Sequence, residues 1–311
     1  MTWARPYTGD GAPRSAELPP APPWRRFPLP PVGAVFQPPP GLVDAVNAAL
    51  CLRRPLLLVG PSGSGKSTAI ESVAAELRLG GVLRWHVTSR STLPDALYQY
   101  DVLGRIHAQQ LDPARGSEDI APFLRLGPLG TALMPRDRPR ALLIDEIDKS
   151  DLDLPGDLLD VLERGYFEIP ELFRHETPVV EIRAWDGDDL HRVEQGRVQC
   201  REFPFVIMTS NGERDFPAPF LRRCIRFDMP PVDADGLAAI VRAHFGAAEA
   251  QGLDEEELAD LIGRFVTRVG IGETLAVDQL LNAAHLLAER GLSFEERSGM
   301  EALLLRGLSG A

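Results

Sequence analysis

Lysine is almost absent from this sequence. Of 33 basic residues only two are lysine, Lys66 and Lys149, and the other 31 are arginine. A GC-rich coding background accounts for the skew most simply, which draws attention to the two lysines that remain. A site that needs a compact ammonium against phosphate oxygens does not accept the wide planar fork of arginine. Cysteine is scarce too. Cys51, Cys200 and Cys224 lie too far apart for a metal knuckle, and their odd number argues against a disulfide framework, so they read as reduced, partly buried thiols. No apolar run reaches the roughly 18–20 residues of a membrane span. No basic-then-apolar leader opens the chain, and a cytoplasmic location is expected. Positive charge is the last shortage. The formal charge is −12, and the arginines are dispersed in short pairs such as Arg53–Arg54 and Arg222–Arg223. Nucleic-acid machines neutralise phosphates with a basic face; this balance favours a protein partner instead.

What is present is ordinary globular material: 311 residues, 44% hydrophobic and 25% charged, enough for one large domain or two smaller ones. Residues 1–40 hold 12 of the 28 prolines, a density that blocks helices and interior strands. They are expected to form an extended arm, with Trp24-Arg25-Arg26-Phe27 as a segment able to dock on the core or on a neighbouring subunit. Gly41 then precedes an amphipathic helix over 42–52, and 55–60 reads as a buried parallel strand. A helix over 67–79 and a strand over 82–88 follow, with further buried strands over 141–146 and 204–209. This is the alternation of an α/β protein with a parallel sheet. Residues 173–202 contain an apolar stretch at 179–185, an Asp186-Gly187 turn and a second stretch at 198–203, expected to pair as a hairpin. From Asp233 the pattern turns helical, with candidates at 234–245, 254–268, 274–290 and 293–307 separated by Gly246, Gly270/Gly272 and Gly291. The expected divisions are an arm (1–40), an αβ core (41–231) and a helical lid (232–311).

The chemistry concentrates in four places. Gly60-Pro61-Ser62-Gly63-Ser64-Gly65-Lys66-Ser67-Thr68 fits the phosphate-loop pattern between strand and helix. Its glycines let backbone N–H groups converge on phosphate, Lys66 neutralises the outer phosphoryl oxygens, and Ser67 binds Mg²⁺. Asp145 and Glu146 close the strand 141–146, where Asp145 can hold Mg²⁺ directly or through water and Glu146 can accept a proton from, or orient, the attacking water. Asn211 follows the next buried strand and can orient that water or sense the γ-phosphate, although Asn-Gly is also a common turn pair. Arg222 and Arg223, in Phe220–Arg226, are the candidates for an arginine finger.

These residues resemble the MoxR-like branch of the AAA+ ATPases over about 41–300, through GPSGSGKS, GPLGTALM before LLIDEID, VLERGYFEIPE, MTSNGERDFP and FLRRC. The resemblance implies an AAA+ P-loop core with a parallel sheet flanked by helices, hairpin insertions at 90–131 and 173–202, and a C-terminal all-helical lid. It places the arginine finger at Arg223, supplied by a neighbour in a ring hexamer, and implies ATP and Mg²⁺ as ligands. More narrowly, YTGDG, the proline-rich WRRF arm and LRWHVTSRSTLPDALYQYD resemble MoxR-type ATPases that work with a von Willebrand factor A (vWA) protein. One departure stands out: where the family carries a sensor-2 arginine at the start of the third lid helix, this chain has Asp278. Three other readings stay open: a small-molecule P-loop kinase, a nucleotide-gated binding module with little hydrolysis, and a DNA-directed motor.

Overall fold

The computed structural model describes residues 7–13, 15, 17–27, 36–111, 120–249, 255–273, 275–288 and 294–307. Its strands are Leu56–Val59 (β1), Leu83–His86 (β2), Tyr98–Tyr100 (β3), Leu124–Leu126 (β4), Ala141–Asp145 (β5), Tyr166–Glu168 (β6), Val179–Arg183 (β7), Leu190–Glu194 (β8), Arg197–Gln199 (β9), Phe205–Ser210 (β10) and Ile225–Asp228 (β11). The helices are Leu42–Leu52 (α1), Lys66–Glu76 (α2), Leu93–Leu97 (α3), Val102–Leu111 (α4), Pro128–Ala132 (α5), Leu154–Arg164 (α6), Pro170–Phe173 (α7), Ala218–Leu221 (α8), Ala234–Glu249 (α9), Glu255–Gly270 (α10), Val277–Ala288 (α11) and Phe294–Leu304 (α12). By contacts the chain divides into one unit of residues 38–61 and 65–229, and another of 1–37, 62–64 and 230–311.

The larger unit is built on a five-stranded sheet in the order β11-β1-β10-β5-β2, with every neighbouring pair parallel. Leu56, Leu57 and Leu58 of β1 are wholly buried, and all of β10 is buried, as interior parallel strands require. α1 packs on β1 and β11, α2 on β5 and β10, and α5 on β2 and β5. The strand order has a consequence for chemistry. β10 lies between β1 and β5, with Val59 opposite Ser210 and Met208 opposite Ile144. Whatever follows β10 therefore emerges between the phosphate loop and the acidic pair. β11 escaped the sequence reading, because its Ile225-Arg226-Phe227-Asp228 alternates apolar and charged residues at a sheet edge and lacks the continuous apolar run of the inner strands.

Both insertions join a second sheet of order β3-β4-β7-β8-β9-β6. In the first, β3 and β4 pair antiparallel with α4 between them; residues 112–119 of this segment lie outside the described residues. In the second, β7 does form a hairpin, but its partner is β8 at 190–194, not the expected 198–203. The reason is a two-residue turn at Gln195 (φ +48°) and Gly196 (φ +70°), which suits antiparallel strands and starts β9 directly after β8. β9 then pairs with β6.

The smaller unit is helical. Leu237, Val241 and Phe245 of α9, Leu258, Leu261, Ile262 and Phe265 of α10, and Leu280, Leu281 and Ala284 of α11 recur at helical spacing and share one core with Leu305. Gly246, expected as a separator, lies inside α9, since an internal glycine costs a helix only about 1 kcal/mol. Thr274 and residues 289–293, at the expected ends of the last two helices, fall outside the described residues. Of the arm, Pro23–Arg25 makes a 3-10 turn, and Trp24 packs edge-on against His244, Phe245 and His285 at 5.5–6.2 Å.

GPLGTALM has a steric basis. A Cβ on Gly130 would lie 1.9 Å from the Leu97 carbonyl oxygen, and one on Gly127 2.3 Å from that of Ala96. Only glycine admits such backbone approach. Gly130→Ala is expected to destabilise the core by about 1–3 kcal/mol or more, read from the urea midpoint. An unchanged midpoint would contradict this packing.

Candidate active site

The chain leaves β1 at Gly60, turns through Pro61–Gly65, and enters α2 at Lys66. Gly63 (φ +78°) and Gly65 (φ +84°) take the left-handed conformation that side chains resist. Pro61, Ser62 and Gly63 are exposed, whereas Ser64 is buried. Thr68 donates its backbone N–H to the Gly65 carbonyl at 3.1 Å, closing the first turn. The unpaired amides at the start of an α-helix make such a loop receptive to anions.

Lys66 is only 7% exposed. An ammonium has three N–H donors, and all three are used: to the carbonyls of Gly60 (2.7 Å) and Pro61 (2.8 Å), and to Asn211 Oδ1 (3.0 Å). Burial lowers its pKa, and the charges of Asp145, Asp148 and Glu146 oppose that shift. Asn211 stands beside the loop because β10 lies next to β1, a pairing continued by Gly60 N–H to the Ser210 carbonyl at 3.1 Å.

The acidic pair ends β5. Asp145 Oδ1 accepts from Ser67 Oγ at 3.0 Å and from Thr209 Oγ1 at 2.6 Å. The Thr209 hydroxyl also accepts the Glu146 N–H at 2.9 Å, so β10 holds both acids. Glu146 has φ +59°, a left-handed conformation that costs a non-glycine residue about 1–2 kcal/mol. Its Oε2 accepts from Lys149 Nζ at 2.7 Å and lies 3.6 Å from His86 Nε2; its Oε1 faces Asn211 Nδ2 at 3.5 Å. The hydrogen bond to Glu146 raises the Lys149 pKa.

The family model described as AAA domain (dynein-related subfamily) matches residues 55–215, just over half the chain, and spans all of these groups. The chain belongs to this family. Its sheet, helices, insertions and C-terminal helices are those of an α/β AAA+ P-loop protein. No curated protein matches it. Among solved structures it is similar to NtrX from Brucella abortus, at 14% identity and TM-score 0.42, over 82% of this chain and 52% of that one. It is similar also to NtrX from Brucella abortus in complex with ADP, at 14% identity and TM-score 0.41, over 87% and 55%. The chain spans about half the length of those structures.

Within this AAA domain, Ser67 Oγ and Asp145 Oδ1 form a pair of hard oxygen donors 3.0 Å apart. Mg²⁺ takes one or two protein oxygens, substrate phosphates and several waters, and this donor set fits it. Among the described residues no cluster of three His, Cys, Asp or Glu side chains makes an all-protein metal cage. No helix among them is long and apolar enough to cross a membrane.

The structure therefore brings together Lys66, Ser67, Asp145, Glu146 and Asn211. Arg223 is placed differently: it follows α8, and its Nε pairs with Glu163 of α6 at 3.0 Å. Arg222 is exposed, and its carbonyl accepts from Arg54 at 2.6 Å. Sequence reasoning missed Thr209, Asp148 and His86, and gave Lys149 no partner. Thr209 carried a signal, since it is a hydroxyl within an otherwise apolar buried run. Lys149 carried another as one of two lysines.

Proposed function

We propose that the protein is an ATP-hydrolysing AAA+ oligomer of the MoxR type that remodels or activates a protein partner. The observation that carries this reading is the buried Lys66 ammonium, held on loop carbonyls and on Asn211, with the two acids alongside. Bound ATP offers Lys66 phosphate oxygens in place of the Gly60 and Pro61 carbonyls. Ser67 and Asp145 would hold Mg²⁺, which supplies charge neutralisation at the β and γ phosphates. Glu146 accepts a proton from the attacking water, and the Asn211 amide, between Lys66 and Glu146, orients it. Residues 41–231 serve as the nucleotide-binding core, 232–311 as the lid and 1–40 as the arm, in a cytoplasmic protein.

Arg223 is assigned as the finger offered to a neighbour's γ-phosphate in a ring hexamer. Its side chain is 35% exposed, and it pairs with the exposed Glu163, a pairing weak enough to exchange. A second reading, a nucleotide-gated module with little hydrolysis, draws on the lid. α11 carries no arginine, and Arg242, Arg264, Arg268 and Arg297 each pair with carboxylates of the lid itself. A small-molecule kinase does not account for the acidic pair, Asn211 and the helical lid together, and the acidic charge disfavours a DNA-directed motor.

The partner is assigned as a vWA-domain protein, on the resemblance of the arm and of residues 83–101 and on the acidic β7–β8 turn. Asp186 there is engaged with Arg140 across the chain. Asp188 is 97% exposed and only 3.8 Å-paired with Arg183, leaving a carboxylate able to complete the coordination of a metal on the partner.

Turnover assays test the first reading. Lys66→Ala should abolish nucleotide binding, and Glu146→Gln should bind ATP yet slow hydrolysis by about 10²–10⁴-fold. Mixing Arg223→Ala with Lys66→Ala protomers should restore part of the turnover, because some interfaces regain an intact site. Wild-type rates in Lys66→Ala and Glu146→Gln, or full activity in a dilute monomer, would sink it. For the partner, Asp188→Ala/Asp189→Ala should lose capture of a vWA protein that the wild type retains with ATP and Mg²⁺. Failure of the wild type to retain any vWA protein removes that assignment.

A further inference from the structure

Asp148 is a buried acid that the mechanism above does not use. It lies in the 3-10 turn Ile147–Lys149 just after Glu146 and is 5% exposed. Its Oδ2 accepts two backbone N–H groups from the turn after β10, those of Asn211 (3.0 Å) and Glu213 (3.2 Å). Its Oδ1 is buried and has no hydrogen-bond partner among the described residues. Burying a carboxylate with one oxygen unmatched is costly, and an apolar residue would suffice if the turn needed only filling. Charge-assisted bonds from a carboxylate to backbone N–H groups are about twice as strong as neutral ones, and two of them from one oxygen fix the backbone they hold.

The backbone so fixed is that of Asn211, whose side chain spans the site, with Oδ1 on Lys66 and Nδ2 toward Glu146. A second tie runs in the opposite sense. Arg214, from the turn after Asn211, donates to the Ser150 carbonyl (2.7 Å), Ser150 Oγ (3.3 Å) and the Asp151 carbonyl (3.2 Å). The turn after β5 and the turn after β10 are thus laced together from both sides. We infer that Asp148 is a positioning residue for hydrolysis, holding the Asn211 amide in register with Glu146 by clamping its backbone. The inference rests on the ATPase reading and adds to it a residue that acts through the backbone of Asn211.

The full chain tests it through turnover with Mg-ATP and the Kd of a fluorescent ADP analogue, for wild type, Asn211→Ala, Asp148→Asn, Asp148→Ala and Asp148→Ala/Asn211→Ala. Asp148→Ala should lower kcat by about 30-fold or more while the nucleotide Kd stays within about threefold. Asp148→Asn, whose amide oxygen still accepts both N–H groups, should recover to within about fivefold of wild type. The double variant should be no slower than Asn211→Ala alone, because residues acting as a unit are not additive. Losses that multiply in the double variant, or an asparagine no better than alanine, overturn the inference. If Asp148→Ala does not fold, Arg214→Ala frees the same turn from the other side and is held to the same outcomes. A wild type without turnover, or an Asn211→Ala variant at wild-type rate, overturns the ATPase reading and takes this inference with it. Slow Asn211→Ala with normal Asp148→Ala and Arg214→Ala overturns this inference alone.

Discussion

The burial of one ammonium organises the site. A cation removed from water is tolerated only when its donors are matched and opposite charge is near. Lys66 meets both conditions, with three oxygen acceptors drawn from the loop and from the residue after β10, and with three acids contributing to its electrostatic environment. Two of those acceptors are backbone carbonyls of the loop itself. The loop is thus closed on its own lysine, and an incoming phosphate competes with Gly60 and Pro61 for a charge that is already desolvated. Arginine, with five donors in a fixed fork, has no equivalent fit to three converging oxygens.

The sheet order makes this possible. With β10 inserted between β1 and β5, one residue beyond its end reaches the phosphate loop on one side and the acidic pair on the other. Thr209 exploits the same position one step earlier, donating to Asp145 and accepting from the Glu146 backbone. That bond helps retain Glu146 in a left-handed conformation that is costly for a non-glycine residue. The insertions, by contrast, lie in the second sheet, where they pair with β6 and present the acidic β7–β8 turn.

Much of this is legible in the sequence alone. The phosphate loop and acidic pair are contiguous motifs bounded by apolar runs, and interior parallel strands announce themselves by being apolar on both faces. The lid helices showed through their 3.6-residue periodicity. What escaped shares a cause: it depends on partners distant in sequence. Asp148 and Asn211 are 63 residues apart, and Thr209 and Asp145 are 64 apart; no local pattern joins them. β11 was hidden because an edge strand need be apolar on one face only. The return strand of the second hairpin was misplaced because Gln195-Gly196 turns the chain as effectively as the more conspicuous Asp186-Gly187.

The competition at Lys66 is open to direct observation. A crystal structure of the full chain with Mg²⁺ and a non-hydrolysable ATP analogue should show Lys66 Nζ within about 3 Å of phosphate oxygens. Its bonds to the Gly60 and Pro61 carbonyls should be broken, and Asn211 should remain between Lys66 and Glu146. A nucleotide bound elsewhere, or bound at the loop while Lys66 stays on the two carbonyls, would contradict the account.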